Sequence, residues 1–319
     1  MLHIAYFGSP QFSAELLQML AQSPKCNVTY QIDLVVCPED KPSGRGLALK
    51  KSPVKMIAEH EHIPVFDMSA RKNIQKLKEL FLTKKINVAI VFAYGEIISP
   101  ELLETLKGRF INVHPSLLPK YRGPSPTTMP ILLEEKETGV SLIQMDAQMD
   151  TGDIIFQKNF AIEINSSAQS ILTQALPIVF GGIIDLIDSN LHIVPKPQDS
   201  ARATYTQRYS REDGYLSPEC LRNAIHNGYI DTQNMSVYAR YLVRNPSEIN
   251  FIPAHVSLYT LWKALHPWPG IWTHITENGM NKRLKIIEID AQQPMKIVTV
   301  QIEGKEPMSW DRFTQDHSV

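Results

Sequence analysis

Asn112 and His114 stand one residue apart at the end of an apolar run in "RFINVHPSLLPKYRGPSP". On an extended strand, side chains at i and i+2 share a face, so the amide and the imidazole project together. The following loop carries Pro115, Pro119, Gly123, Pro124 and Pro126, whose fixed or permissive torsions can hold a rigid wall beside the pair. A third group lies far along the chain in "DAQMDTGD", which offers Asp146, Asp150 and Asp153 around Gly152. A carboxylate near an imidazole fixes its tautomer and raises its pKa from about 6.5. An Asn amide can donate a hydrogen bond to an oxyanion. Together, Asn, His and Asp suit acyl transfer through a tetrahedral intermediate, with no nucleophile supplied by the protein. A plainer alternative stays open on spacing alone. A strand-end histidine is commonly a hydrogen-bonded structural residue, and a DTGD loop is commonly a tight turn.

The elements that must position these residues are legible as alternating patterns. "HIAYFG", "YQIDLVVC", "IPVF", "INVAIVFA" and "RFINV" read as short apolar strands. Between them, "SAELLQMLAQS", "PVKMIAEHEH", "KNIQKLKELFLTK" and "SPELLETLK" have helical spacing or helix-start signals. This alternation over residues 1 to about 115 predicts an α/β fold with a Rossmann-like, mostly parallel sheet. It also places Asn112 and His114 at a strand's carboxyl end, where open sheets bind ligands. "PEDKPSGRG" reads as a loop by composition. "TGVSLIQM" and "IIFQKNFAI" predict strands flanking the DTGD loop, and the stretch from Ser166 to Asp188 predicts a long helix with Pro177 inside it.

Residues 189–208 are rich in Pro, Ser and Thr and poor in periodic apolar positions, which predicts a linker between domains at 1–188 and 209–319. In the second domain, "HPWPGIWTHI", "KRLKIIEID" and "KIVTVQI" read as strands of a smaller β fold. The stretch 215–262 has helical spacing in "VYARYLV" and "LYTLWKALH" but no evident place in that fold.

Composition narrows the function classes. Across 319 residues, 32 basic side chains meet 33 acidic ones, so any nucleic-acid contact must come from a local basic patch. Cys26, Cys37 and Cys220 form no CxxC pair, which argues against a zinc site or a disulfide framework and fits a reducing compartment. No metal is expected. The opening "MLHIAYFGSPQF" lacks the basic start of a signal peptide, no bilayer-spanning stretch is expected, and a cytoplasmic protein is the default. "GSPQFS" lacks the GxGxxG spacing that cradles a pyrophosphate, which weakens a dinucleotide-dependent reading.

"INVHPSLLPKYRGPSP" resembles the Asn-x-His-x-Ser-Leu-Leu-Pro signature of the 10-formyltetrahydrofolate-dependent formyltransferases, and "MDTGD" resembles their second active-site segment. The resemblance implies 10-formyltetrahydrofolate as formyl donor, with Asn112, His114 and Asp150 in the positions of the catalytic trio. "FGSPQFS", "CPEDKPSGRGLALKKSPVK", "VFAYGEIISPELL", "PWPG" and "IEGKEPMSWDRF" are similar to segments of those members that formylate methionyl initiator tRNA. Those members carry a C-terminal β-barrel domain of the oligonucleotide-binding (OB-like) type. The resemblance implies a folate pocket around Phe92, Tyr94, Gly95 and Ile97, with Ser116, Leu117, Leu118 and Pro119 nearby. Phe92 fits plain strand core equally well, and Ser116 fits a turn better than a nucleophile.

The loop between Lys41 and Lys55 makes separate physical sense. Lys41, Arg45, Lys50, Lys51 and Lys55 can each neutralise a phosphate, and Gly44 and Gly46 allow close backbone approach. The resemblance implies that this loop enters the tRNA acceptor stem, which makes Arg45 the residue to test, with a solvated basic loop as the alternative. Tyr121 and Arg122 suit substrate contact or simple cover of the site. Thr128 and Pro130, the long stretch 215–262 and the short chain after Trp272 depart from the family pattern. A monomer is expected. Rival readings are a formyltransferase acting on an amino sugar nucleotide or glycinamide ribonucleotide, and a non-catalytic RNA-binding protein on the same fold.

Overall fold

The computed structural model describes residues 1–43, 48–68, 73–192, 194–277, 279–293 and 296–317. The chain begins with β1 (Leu2–Gly8), α1 (Gln11–Ala21) and β2 (Tyr30–Pro38). The segments β3 (Lys41–Ser43), β4 (Ala48–Lys50), α2 (Pro53–His60), β5 (Val65–Met68), α3 (Ile74–Thr83) and β6 (Val88–Phe92) follow. Then come α4 (Pro100–Leu103), β7 (Phe110–His114), α5 (Thr128–Leu132), β8 (Glu137–Gln144), β9 (Ile154–Ala161) and α6 (Ala168–Asp188).

Seven strands form one sheet in the order β5-β2-β1-β6-β7-β8-β9. The pairs β1–β2, β1–β6, β2–β5 and β6–β7 are parallel, whereas β8 runs antiparallel to β7. The chain builds outward from β1 through β2 and β5, then returns to add β6 on the other side. That reversal makes the carboxyl ends of β1 and β6, beside the end of β7 at His114, a topological switch point, where open sheets bind ligands. All five residues of β6 are buried, as a strand covered on both faces must be. Phe7 packs edge-on against Tyr94 and Phe81 and tilts onto Phe110, so an aromatic cluster lies directly beneath this edge. Burying each such ring contributes roughly 1.5–3 kcal/mol.

Local signals account for several boundaries. Ser52 caps α2 by accepting from the Lys55 amide, and Ser99 caps α4 in the same way, each with Pro in the first turn. Three expectations change. The stretch read as a loop forms a hairpin, with Lys41 opposite Lys50 and Ser43 opposite Ala48. Residues 44–47, Arg45 among them, lie outside the described residues. The helix expected from Ser99 to Lys107 is regular only over Pro100–Leu103. Contrary to the expectation of no bilayer-spanning stretch, α6 is long and apolar enough to cross a membrane by length and composition. Its Ala175, Val179, Ile183 and Ile187 are nevertheless buried inside the protein. Gly182 lies so close to β9 that an added Cβ would come within 2.9 Å of the Phe156 ring.

The chain divides into two compact units, each assembled from three segments. The first comprises 1–122, 139–159 and 172–203; the second comprises 123–138, 160–171 and 204–319. The step from 203 to 204 falls within the stretch read as a linker. In the second unit, α7 (Pro218–Asn227), β10 (Ile230–Asp231), α8 (Ser236–Arg244), β11 (His255–Val256) and α9 (Leu258–Leu265) lie in the stretch 215–262, the last running three residues past it. Tyr238 is buried on α8 and donates to the Leu132 carbonyl of α5 at 2.8 Å. An antiparallel sheet of β12 (Ile271–Glu277), β13 (Met280–Ile289), β14 (Ile297–Ile302) and β15 (Met308–Ser309) follows, with α10 (Trp310–Asp316) after it. Among the described residues it has four strands, where a complete OB barrel has five.

Candidate active site

The strand β7 ends with its i, i+2 pair as its extended backbone requires. Asn112 Nδ2 donates to Asp150 Oδ1 at 3.2 Å, so the expected trio meets in space. His114 Nδ1 stands 3.6 Å from Asp150 Oδ2, within ion-pair range but beyond a hydrogen bond. The two side chains are only 5% and 11% exposed, so charge here is weakly screened. The tautomer is fixed elsewhere than expected. His114 Nε2 lies 2.9 Å from the Tyr121 carbonyl, which can only accept. Nε2 therefore carries the proton of the neutral ring, and Nδ1 presents its lone pair beside Asp150. Among the residues sequence reasoning offered, Asp150 was given the tautomer-fixing role that the Tyr121 backbone performs.

Of the three aspartates around Gly152, only Asp150 reaches the histidine. Asp146 organises the loop from within, accepting from the Gln148 amide at 2.9 Å and from Thr151 Oγ1 at 2.7 and 2.8 Å. The Asp153 carbonyl accepts from the Gln144 amide at 2.9 Å, closing the neck between β8 and β9. Asp150 has φ +58, a left-handed conformation that Asp adopts more readily than most residues. Gly152 is required by space, since a Cβ there would sit 1.7 Å from the Gln144 carbonyl oxygen. A further residue touches this loop. Gln198 Nε2 donates to the carbonyls of Asp150 at 2.9 Å and Gly152 at 2.7 Å. No hydropathy period marks Gln198, which lies in the stretch read as a linker. Arg122, expected near the substrate or as cover, is 2% exposed and donates to Gln198 Oε1.

The residues assigned to a folate pocket fall into different environments. Phe92 is buried and packs on Phe12 with ring centroids 5.0 Å apart. Tyr94 is buried, and its hydroxyl has no partner among the described residues. Burial pushes that hydroxyl's pKa up, so it is a neutral donor and acceptor. Gly95 is exposed with φ +86, and Ile97 is 83% exposed. Ser116 Oγ donates to the Lys120 carbonyl at 2.7 Å, as a turn residue would. Leu117 and Pro119 are half-buried, whereas Leu118 is buried, its amide donating to Ser141 Oγ at 3.2 Å.

The basic stretch divides by partner. Lys51 Nζ contacts both Glu59 oxygens, at 2.8 and 2.7 Å. Lys55 is buried between Asp40 at 3.0 Å and Asp67 at 2.8 and 3.0 Å. Burial alone would lower the Lys55 pKa, but the two carboxylates outweigh it and the net shift is upward. Lys50 is exposed and has no ion-pair partner among the described residues. The Lys41 side chain and the whole of Arg45 lie outside them.

Residues 2–176 match the family described as formyl transferase. The chain belongs to this family. Its curated relatives include the methionyl-tRNA formyltransferase of Caldicellulosiruptor saccharolyticus, 31% identical over 300 residues, covering 93% of this chain and 83% of the relative. The enzyme of the same name from Roseiflexus sp. is 35% identical over 217 residues, covering 67% of this chain and 65% of that one. Among solved structures, the methionyl-tRNA formyltransferase from Clostridium thermocellum aligns with a TM-score of 0.57 over 97% of this chain and all of its own. At 17% identity that likeness concerns the fold: a formyl transferase sheet followed by a small β domain.

Proposed function

We propose that this formyl transferase moves the formyl group of 10-formyltetrahydrofolate onto the α-amino group of methionyl initiator tRNA. The observation that carries the reading is the convergence of Asn112, His114 and Asp150 at the carboxyl end of β7. Both His114 ring nitrogens have defined surroundings, and only Nδ1 is available for chemistry. In the neutral ring it accepts the proton that the attacking amine loses as the new C–N bond forms. Asp150 stabilises the resulting imidazolium, which returns the proton to folate N10 as that C–N bond breaks. Asn112 spends one amide hydrogen on Asp150 and keeps a second to donate to the developing oxyanion. The trio comes from one chain, so one copy suffices, acting in the cytoplasm where initiator tRNA is charged.

The open, exposed Gly95 turn after Tyr94 fits the polar edge of a flat heteroaromatic ring, such as a pterin. For the tRNA, the support is the exposed Lys50 on β4, five residues along the sequence from Arg45. The deciding experiment supplies 10-formyltetrahydrofolate with methionyl initiator tRNA, glycinamide ribonucleotide or an amino sugar nucleotide in parallel. Formylation of the tRNA alone is expected. Transfer to a small amine instead would overturn the substrate reading, and failure to transfer to any acceptor would favour a non-catalytic RNA-binding role.

A further inference from the structure

We propose that Gln198, held by Arg122, is a positioning residue for formyl transfer that sets the placement of Asp150 against His114. The inference rests on the trio described above. The Gln198 side-chain amide is fully engaged. Its two Nε2 hydrogens go to the carbonyls of Asp150 and Gly152, and its Oε1 receives Arg122 Nε at 3.1 Å and Nη2 at 2.8 Å. A guanidinium only donates and a carbonyl only accepts, so these partners fix which amide atom is which. Backbone bonds bring the segment to the loop: Ile154 and Lys196 exchange amide hydrogens at 2.9 and 2.8 Å, two residues before Gln198. The adjacent Tyr121 and Arg122 thus act on both partners. The Tyr121 carbonyl orients the His114 ring, while the Arg122 side chain, through Gln198, holds the left-handed turn at Asp150. The 3.6 Å separation of Nδ1 and Oδ2 is set by this two-sided frame.

The chemistry of residue 198 provides the test. Gln198→Glu keeps oxygens for Arg122 but faces the two carbonyls with a carboxylate instead of an NH2 group. Gln198→Met keeps the length and makes neither set of bonds. Both are assayed in the full chain, alone and in an Asp150→Asn background, with kcat, KM for each substrate and thermal melting recorded. For Gln198→Glu we expect melting close to the parent, KM for folate within about twofold, and kcat down about 10–100-fold, the scale of a small misplacement at a reacting centre. In the Asp150→Asn background the same change is expected to cost less than about threefold, because residues acting through one another are not additive. Gln198→Met is expected to follow the same cycle, and either variant that folds decides the matter. Parent-like kcat in either folded variant, or a loss repeated in full without Asp150, would overturn the proposal, as would failure of both to fold, which would assign Gln198 to folding. Parent-like turnover of Asp150→Asn alone would instead overturn the trio.

Discussion

The end of β7 and the base of the β3–β4 hairpin both gather charged groups beside carboxyl ends of sheet strands, but they hold them differently. At the hairpin base, Lys55 lies between two carboxylates at 2.8–3.0 Å and its charge is spent inside the fold. At β7, Asp150 meets an amide at 3.2 Å and an imidazole at 3.6 Å, contacts with room to tighten. Catalytic hydrogen bonds are often long before substrate arrives. Carbonyls of Tyr121, Asp150 and Gly152 take up the rigid, short bonds around the site instead. Polar groups that build the fold close their bonds, whereas those poised for chemistry are held from behind.

The largest effect expected from breaking this contrast is at His114. His114→Ala should lower kcat by about 10²–10³-fold, with melting little changed, because the group that carries the proton from the amine to folate N10 is lost. Steady-state formylation kinetics beside a thermal melt would check it, and near-normal turnover would remove the trio from the mechanism. Lys55→Met should do the reverse. It leaves Asp40 and Asp67 without their cation and should cost about 1–3 kcal/mol in urea denaturation, moderated because Asp67 is partly open to water. Residual folded protein should keep its kcat.

Within the hairpin the comparison sharpens. Lys50→Ala should weaken tRNA binding a few-fold and reduce the salt slope by about one, as for a lost phosphate contact. Lys51→Ala, already engaged with Glu59, should move that slope less, and equal slopes for the two would merge them into one patch. The smallest effect is expected in the second unit at Glu277. Lys282, Lys305 and His317 surround its carboxyl, and hydrogen bonds from the two lysines are the main cause holding its pKa at about 2 against 4.5 ordinarily. A depressed carboxylate pKa gives stability that is fully present above 4.5 and lost as pH falls toward 2. Thermal melting should therefore drop over that window, and Glu277→Gln should flatten the drop without altering kcat at neutral pH.

How far the sequence carries depends on the range of each interaction. Asn112 and His114 were legible because a strand's period of two is local, and Pro53 and the Ser99–Pro100 pair marked helix starts for the same reason. The spacing around Gly152 offered three aspartates with equal claims; the likeness of MDTGD to a family segment favoured Asp150, and the meeting of that loop with β7 supplies the contact. Gln198 passed as linker because a residue working through its amide leaves no apolar period. The five basic residues from Lys41 to Lys55 looked alike because Glu59 and Asp67, which engage two of them, come later in the chain.

By itself, then, the sequence determined the alternating α/β frame, the paired amide and imidazole at a strand end, and their likeness to a formyl-transfer signature. Each follows from local backbone geometry or from a contiguous motif. Tertiary structure alone decided how far the Asp150 carboxylate stands from the histidine, which ring nitrogen faces it, and which lysines turn inward. Those choices depend on distances between segments that approach only when the sheet closes, as Asn112 and Asp150 do across 38 residues of chain.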